Sequence, residues 1–122
     1  MAVLTNKPVH PSRDICDHFG LSRFFFRNYG GNSFHTKKPD PHGLLTLITE
    51  ASALFAQTIA PSDTIMVGDT DIDVLTARNC GASSIGCTFG LKPHSLEAAP
   101  PDHLAHTPAD WLTILGISPE KS

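Results

Sequence analysis

With 122 residues, 40% of them hydrophobic and 17% charged, the chain is long enough for one compact core and too apolar for disorder. A formal charge of −3 gives no attraction to nucleic acid or to an anionic membrane. No apolar run approaches the roughly 20 residues of a membrane helix, and no charged-then-apolar leader opens the sequence. The cysteines, Cys16, Cys80 and Cys87, are odd in number and lack metal-ligand spacing, and the histidines are scattered. The expectation is a single-domain cytoplasmic protein with reduced, mostly buried thiols.

In chain order, Ala2-Val3-Leu4-Thr5 reads as a short buried strand. Pro8 and Pro11 break the chain, Ser12 can cap a helix running to about Phe19, and Gly20 fits the position just past it. Phe24-Phe25-Phe26 with Tyr29 is β-prone and predicts a second strand, followed by a loop at Gly30-Gly31-Asn32-Ser33. Asp40-Pro41 is a helix start, and Leu44, Leu47, Ile48, Ala51, Leu54 and Phe55 then recur as one apolar stripe. Pro61-Ser62-Asp63 is a turn, and Thr64 to Gly68 reads as a buried strand. A helix from Asp71 to Asn79 ends at Gly81, and Ser83 to Cys87 is the next strand. A Gly/Pro-containing loop, a short edge strand at 103–106 and a helix opened by Thr107-Pro108, with Trp111, Leu112 and Leu115 on its apolar face, complete the order. Strands alternating with helices predict an α/β, Rossmann-like three-layer sandwich with a mainly parallel sheet.

The chemistry concentrates at Val67-Gly68-Asp69-Thr70-Asp71-Ile72-Asp73, where three carboxylates follow an apolar strand. Asp69 at the strand end and Asp73 in the first helical turn can face one point beyond the sheet edge, where open α/β folds bind ligands. Such carboxylates suit Mg²⁺, a hard cation that shares its oxygen ligands with substrate phosphates. The helix start adds N–H groups and positive potential, which suit carboxylate and phosphate alike. A plainer role for Asp71 and Asp73 is to complement the helix dipole. Lys38, in Lys37-Lys38-Pro39-Asp40-Pro41, can neutralise a phosphate or a carboxylate cluster, or be a solvated loop lysine. Thr5 ends the first strand, where its hydroxyl and the Asn6 backbone N–H can hydrogen-bond a phosphate oxygen, or serve the fold alone.

The order Thr, Lys, Asp-x-x-x-Asp resembles the C-terminal half of a haloacid-dehalogenase-superfamily phosphatase of the phosphoglycolate phosphatase branch. Leu4-Thr5-Asn6-Lys7-Pro8 is similar to that family's second motif and Lys38-Pro39-Asp40-Pro41 to its third. Gly68-Asp69-Thr70-Asp71-Ile72-Asp73, continuing through Ala77-Arg78-Asn79-Cys80-Gly81-Ala82, is similar to the fourth, and the Gly90 loop also fits. The resemblance implies a Mg²⁺-dependent hydrolase of a small phosphorylated metabolite. By position, Thr5 and Asn6 would bind the phosphoryl group, Lys38 would hold that group and the nucleophile, Asp69 would ligate Mg²⁺, and Asp73 would complete or orient the metal shell.

The family's first motif, an Asp-x-Asp-Gly-Thr-like strand end carrying the nucleophile and the general acid, is absent from the 122 residues. So is the helical cap domain that carries substrate selectivity. In the family the nucleophile strand lies between the strands that here end at Thr5 and Gly68. The expectation is that Met1 is an internal methionine of a longer protein, or that the gene is split, and that the chain alone has little or no turnover. The strands either pair directly across the gap or leave it open, to be filled by a second chain or covered in a homodimer. The rival is a non-catalytic phosphate- and metal-binding or interaction module. A receiver-like signalling domain is a weaker rival, because its acidic residues precede its Thr and Lys.

Overall fold

A computed structural model describes residues 1–90 and 92–116. The elements are β1 (Val3–Leu4), α1 (Val9–His18), β2 (Asn28–Tyr29), α2 (His42–Leu54), β3 (Ile65–Gly68), α3 (Asp71–Cys80), β4 (Ser83–Cys87), β5 (His103–Ala105) and α4 (Pro108–Leu115). Short 3-10 turns lie at Ser22–Phe24, Pro61–Asp63 and Pro93–Glu97. The result is an α/β fold with parallel strands throughout the described residues. No helix among them is long and apolar enough to cross a membrane.

Two βαβ units organise the chain. In the first, β1 and β2 pair parallel across α1; in the second, β3 and β4 pair parallel across α3, and β5 adds to the far side of β4. The sheets have the orders β1-β2 and β3-β4-β5, so among the described residues β1 and β3 are not paired. The gap expected between the strands ending at Thr5 and Gly68 is therefore not closed by direct pairing.

Helix α2 joins the units on one face. Its Leu44 and Ile48 pack with Met66 of β3 and Ala77 of α3, and Leu4 of β1 packs against the same cluster. The far end of the expected stripe leaves the core: Leu54 is 55% and Phe55 53% exposed, because the helix overruns strands of two and four residues. The expectation of a buried β3 is corrected too. Met66 is buried, but Ile65 and Val67 on the other side of the pleat are about two-fifths exposed.

Other boundaries also shift. Helix α1 begins at Val9, so Pro11 sits in the first turn, where its missing N–H costs no intrahelical bond. Ser12 is a buried interior residue whose hydroxyl donates to Asn28 Oδ1 at 2.8 Å, not the helix cap. The phenylalanine run is not a strand. Phe24 closes a 3-10 turn, 49% exposed beneath the Arg23 guanidinium, and β2 begins only at Asn28. Three consecutive large apolar residues need cover on both faces of a strand, and the outer edge beside β1 does not provide it. Helix α3 and strand β4 fall where expected, with Gly81 in the left-handed conformation (φ 85°) that ends α3.

Candidate functional site

The strand ends and helix starts join Asn6, Lys38, Asp73 and Asp69 by side-chain hydrogen bonds and one ion pair, and Thr5 lines one cleft with Asn6 and Lys38. Thr5 follows β1, held by its N–H to the Tyr29 carbonyl at 3.1 Å, and its hydroxyl accepts the Lys7 N–H at 3.1 Å. The Asn6 side chain reaches 32 residues along the sequence: Oδ1 accepts the Lys38 N–H at 3.0 Å and Nδ2 donates to the Lys38 carbonyl at 3.2 Å. Thr5, Asn6 and Lys38 line one shallow cleft. The sequence expectation used only the Asn6 backbone. The role of its side chain as a splint for Lys38 was missed, and nothing local to residue 6 signals a partner that distant.

Lys38 crosses from the first unit to the second. Its Nζ pairs with Asp73 Oδ1, and both side chains are about nine-tenths buried. The other Asp73 oxygen accepts the N–H of Asp69 (3.1 Å) and the N–H and hydroxyl of Thr70 (both 3.3 Å). A buried carboxylate is tolerated only with such pairing. Gly68 makes the approach possible: a Cβ there would stand 2.2 Å from the Asp73 carboxyl carbon. Asn79, from the last turn of α3, donates to the Pro39 carbonyl at 3.0 Å and holds the same loop from outside.

Asp69 is half-buried at the end of β3, against the loop after β4. A Cβ on Gly90 would lie 2.2 Å from Asp69 Cβ, so only glycine lets that backbone so close. The N–H groups expected to be free at the start of α3 are used: those of Asp69 and Thr70 by Asp73, that of Asp71 by Ser95 Oγ at 3.2 Å. They therefore serve carboxylate and hydroxyl partners within the chain.

Among the described residues no group of three or more His, Cys, Asp or Glu is arranged to hold a metal. The oxygen donors of Asp69 and Asp73 nonetheless suit Mg²⁺, which takes one or two protein carboxylates and completes its shell with water and substrate oxygens. Both Asp73 oxygens are engaged within the chain, which suits Asp73 to orienting its neighbours. Cys87 lies nearby; burial pushes its thiol pKa up, against a lowering by the Trp111 indole N–H and with a further rise from the charges of Asp69 and Asp73, so it remains a neutral thiol at neutral pH. Cys80 is likewise raised by burial, and all three cysteines are free.

The sequence profile of the family described as haloacid dehalogenase-like hydrolase matches residues 1–87. The chain belongs to that family. It is 34% identical over 119 residues to a phosphoglycolate phosphatase of Vibrio vulnificus (strain YJ016), covering 97% of this chain and 50% of that one. It is also 34% identical over 117 residues to a phosphoglycolate phosphatase of Rhodobacter capsulatus, covering 96% and 48%. The chain thus spans about half the length of the curated relatives it matches. Among solved structures, that of a predicted phosphoglycolate phosphatase from Haemophilus somnus 129PT superposes with a TM-score of 0.81 at 30% identity, covering 93% of this chain and 48% of that one. A subfamily IA hydrolase of the superfamily from Geobacter sulfurreducens shares the fold, with a TM-score of 0.75 at 19% identity over 93% of this chain and 51% of that one.

Proposed function

We propose that this chain is the phosphate- and metal-holding half of a Mg²⁺-dependent phosphomonoester hydrolase of the phosphoglycolate phosphatase type, acting on a small phosphorylated metabolite. The observation that carries the reading is the chain of contacts from Asn6 through Lys38 to Asp73, which links all three motifs across 67 positions of sequence (6 to 73). The Thr5 hydroxyl and Asn6 N–H would bind the phosphoryl oxygens. Lys38, with two ammonium protons beyond the one given to Asp73, would neutralise them. Asp69 would ligate Mg²⁺ and Asp73 would hold Asp69 and Lys38 in place. Bound Mg²⁺ supplies charge that offsets the phosphate oxygens. The attacking carboxylate of the family's mechanism has no counterpart in the 122 residues, so the chain alone is expected to show little or no turnover. The free thiols support a reducing, cytoplasmic setting.

Mg²⁺-dependent hydrolysis of p-nitrophenyl phosphate tests the reading. Background rates are expected, together with saturable phosphate binding that weakens in Lys38→Met. Turnover that disappears in Asp69→Asn would falsify the claim that an added nucleophile is indispensable, and phosphate binding unaffected by Lys38→Met would remove the site itself.

A second reading is favoured by the lack of pairing between β1 and β3 among the described residues and by the exposure of Ile65 and Val67. In it, the chain completes its sheet with a strand from another polypeptide or by dimerising, and acts as a binding module. Sedimentation equilibrium separates the two versions: a stable dimer supports the second, and a monomer that binds a separate strand-bearing chain supports the first. A monomer that binds none removes this reading.

A further inference from the structure

The Ser95 hydroxyl is used twice. It accepts the Asp71 N–H at 3.2 Å, at the first residue of α3, and donates to the Lys92 carbonyl at 2.8 Å. The Ser95 N–H donates to the same carbonyl at 3.1 Å. One oxygen therefore ties the Pro93–Glu97 turn to the start of the helix that follows Asp69. The next residue, Leu96, is 4% exposed and packs with Val74 of α3 and Ala99, so the clasp is seated on an apolar pin. The Gly90 backbone in turn lies against the Asp69 side chain, close enough that a Cβ would stand 2.4 Å from Oδ2. Asp69 thus has its own helix start on one side and the Gly90 backbone on the other, and Ser95, five residues beyond Gly90 in sequence, is tied to that same helix start.

We propose that Ser95 is a positioning residue for Asp69, fixing the direction of its carboxylate and through it the affinity for a divalent cation. The inference rests on the reading of Asp69 as a Mg²⁺ ligand. It follows from the rule that an outer group which orients a ligand affects affinity without touching the metal. Ser95 does not contact Mg²⁺ or phosphate in this account. Its removal leaves Asp69 chemically intact and frees the loop to drift from it.

The test is Mg²⁺ titration of the full chain by isothermal calorimetry, with thermal unfolding recorded for every variant. Ser95→Ala is expected to weaken Mg²⁺ binding by about tenfold, and Ser95→Thr, which keeps the hydroxyl, to restore most of it. Arg78→Ala is the structural control. It removes a 3.0 Å hydrogen bond to the Pro100 carbonyl at the other end of α3, and should lower stability without altering Mg²⁺ affinity. Ser95→Ala with unchanged affinity overturns the inference, as does Arg78→Ala with an equal loss. Absence of any Mg²⁺ binding that Asp69→Asn abolishes overturns the metal reading and this inference together. Should Ser95→Ala fail to fold, hydrogen exchange in the unaltered chain decides: a protected Asp71 amide supports the clasp, and one exchanging at the free-chain rate contradicts it.

Discussion

β3 and β4 are in register over four residue pairs and β4 and β5 over three, whereas β1 and β2 share two. The second unit also buries most of its central strand: Ser84, Ile85, Gly86 and Cys87 of β4 are all inside. The first unit has no comparable strand, yet it carries Thr5, Asn6 and Lys38. What holds it to the second is the apolar face of α2 and two polar contacts, Lys38 with Asp73 and Asn79 with Pro39, with Asn6 bracing Lys38 from its own side. The residues with chemical character at the site are therefore also the seam between two unequal halves, and a substitution there should affect stability and binding together.

The sharpest way to break the seam is Lys38→Met. It leaves the buried Asp73 carboxylate without its cation, and the expected cost is about 3–5 kcal/mol in urea unfolding. A change as small as that of an exposed pair, below about 1 kcal/mol, would show that the halves are held elsewhere. Next in size is the apolar bridge. Leu44→Ala should cost about 2–5 kcal/mol, against no more than about 0.5 for Leu54→Ala on the overrunning end of the same helix. Equal costs would contradict the division of α2 into a buried and an exposed half. Asn6→Ala should cost about 1–3 kcal/mol, since it leaves the Lys38 N–H and carbonyl without their partner, and it should weaken phosphate binding although Thr5 and Lys38 are intact.

The smallest effect concerns pH. Glu50 of α2 accepts the Tyr29 hydroxyl and pairs with Arg27, both at 2.6 Å, tying α2 to β2. Its pKa is lowered, chiefly by the Tyr29 hydrogen bond, against a raising contribution from burial and with a further lowering from Arg27. A depressed folded-state pKa gives stability that is present above the ordinary carboxylate value and lost as pH falls through the lowered one. Melting temperature should therefore fall more steeply across that acid window in the unaltered chain than in Glu50→Gln. Parallel curves would remove Glu50 from the account.

Much of the second unit was legible in the sequence because its signals are local and agree. Asp71, Gly81 and the short Ser83–Cys87 segment that follows it each report one element and its boundary. The first unit was read less well for a physical reason: Phe24, Phe25 and Phe26 have strand propensity, but an edge beside a two-residue strand cannot cover them, so tertiary context overrides propensity. The same division runs through the site. Asp69, Asp73, Lys38 and Thr5 are candidates by position in their motifs alone. The Asn6 side chain and Ser95 act across 32 and 24 residues of sequence, a reach that no local pattern encodes.

The most direct measurement of the central claim, that one edge of this molecule gathers a metal carboxylate and a phosphate-binding group across the seam, is an amide NMR titration of the full chain with Mg²⁺ and then inorganic phosphate. Saturable shifts are expected at Asp69 and Thr70 with Mg²⁺, abolished in Asp69→Asn, together with phosphate-dependent shifts at Asn6 and Lys38 that strengthen when Mg²⁺ is present. Shifts confined to one unit, or Mg²⁺ responses unchanged by Asp69→Asn, would contradict it.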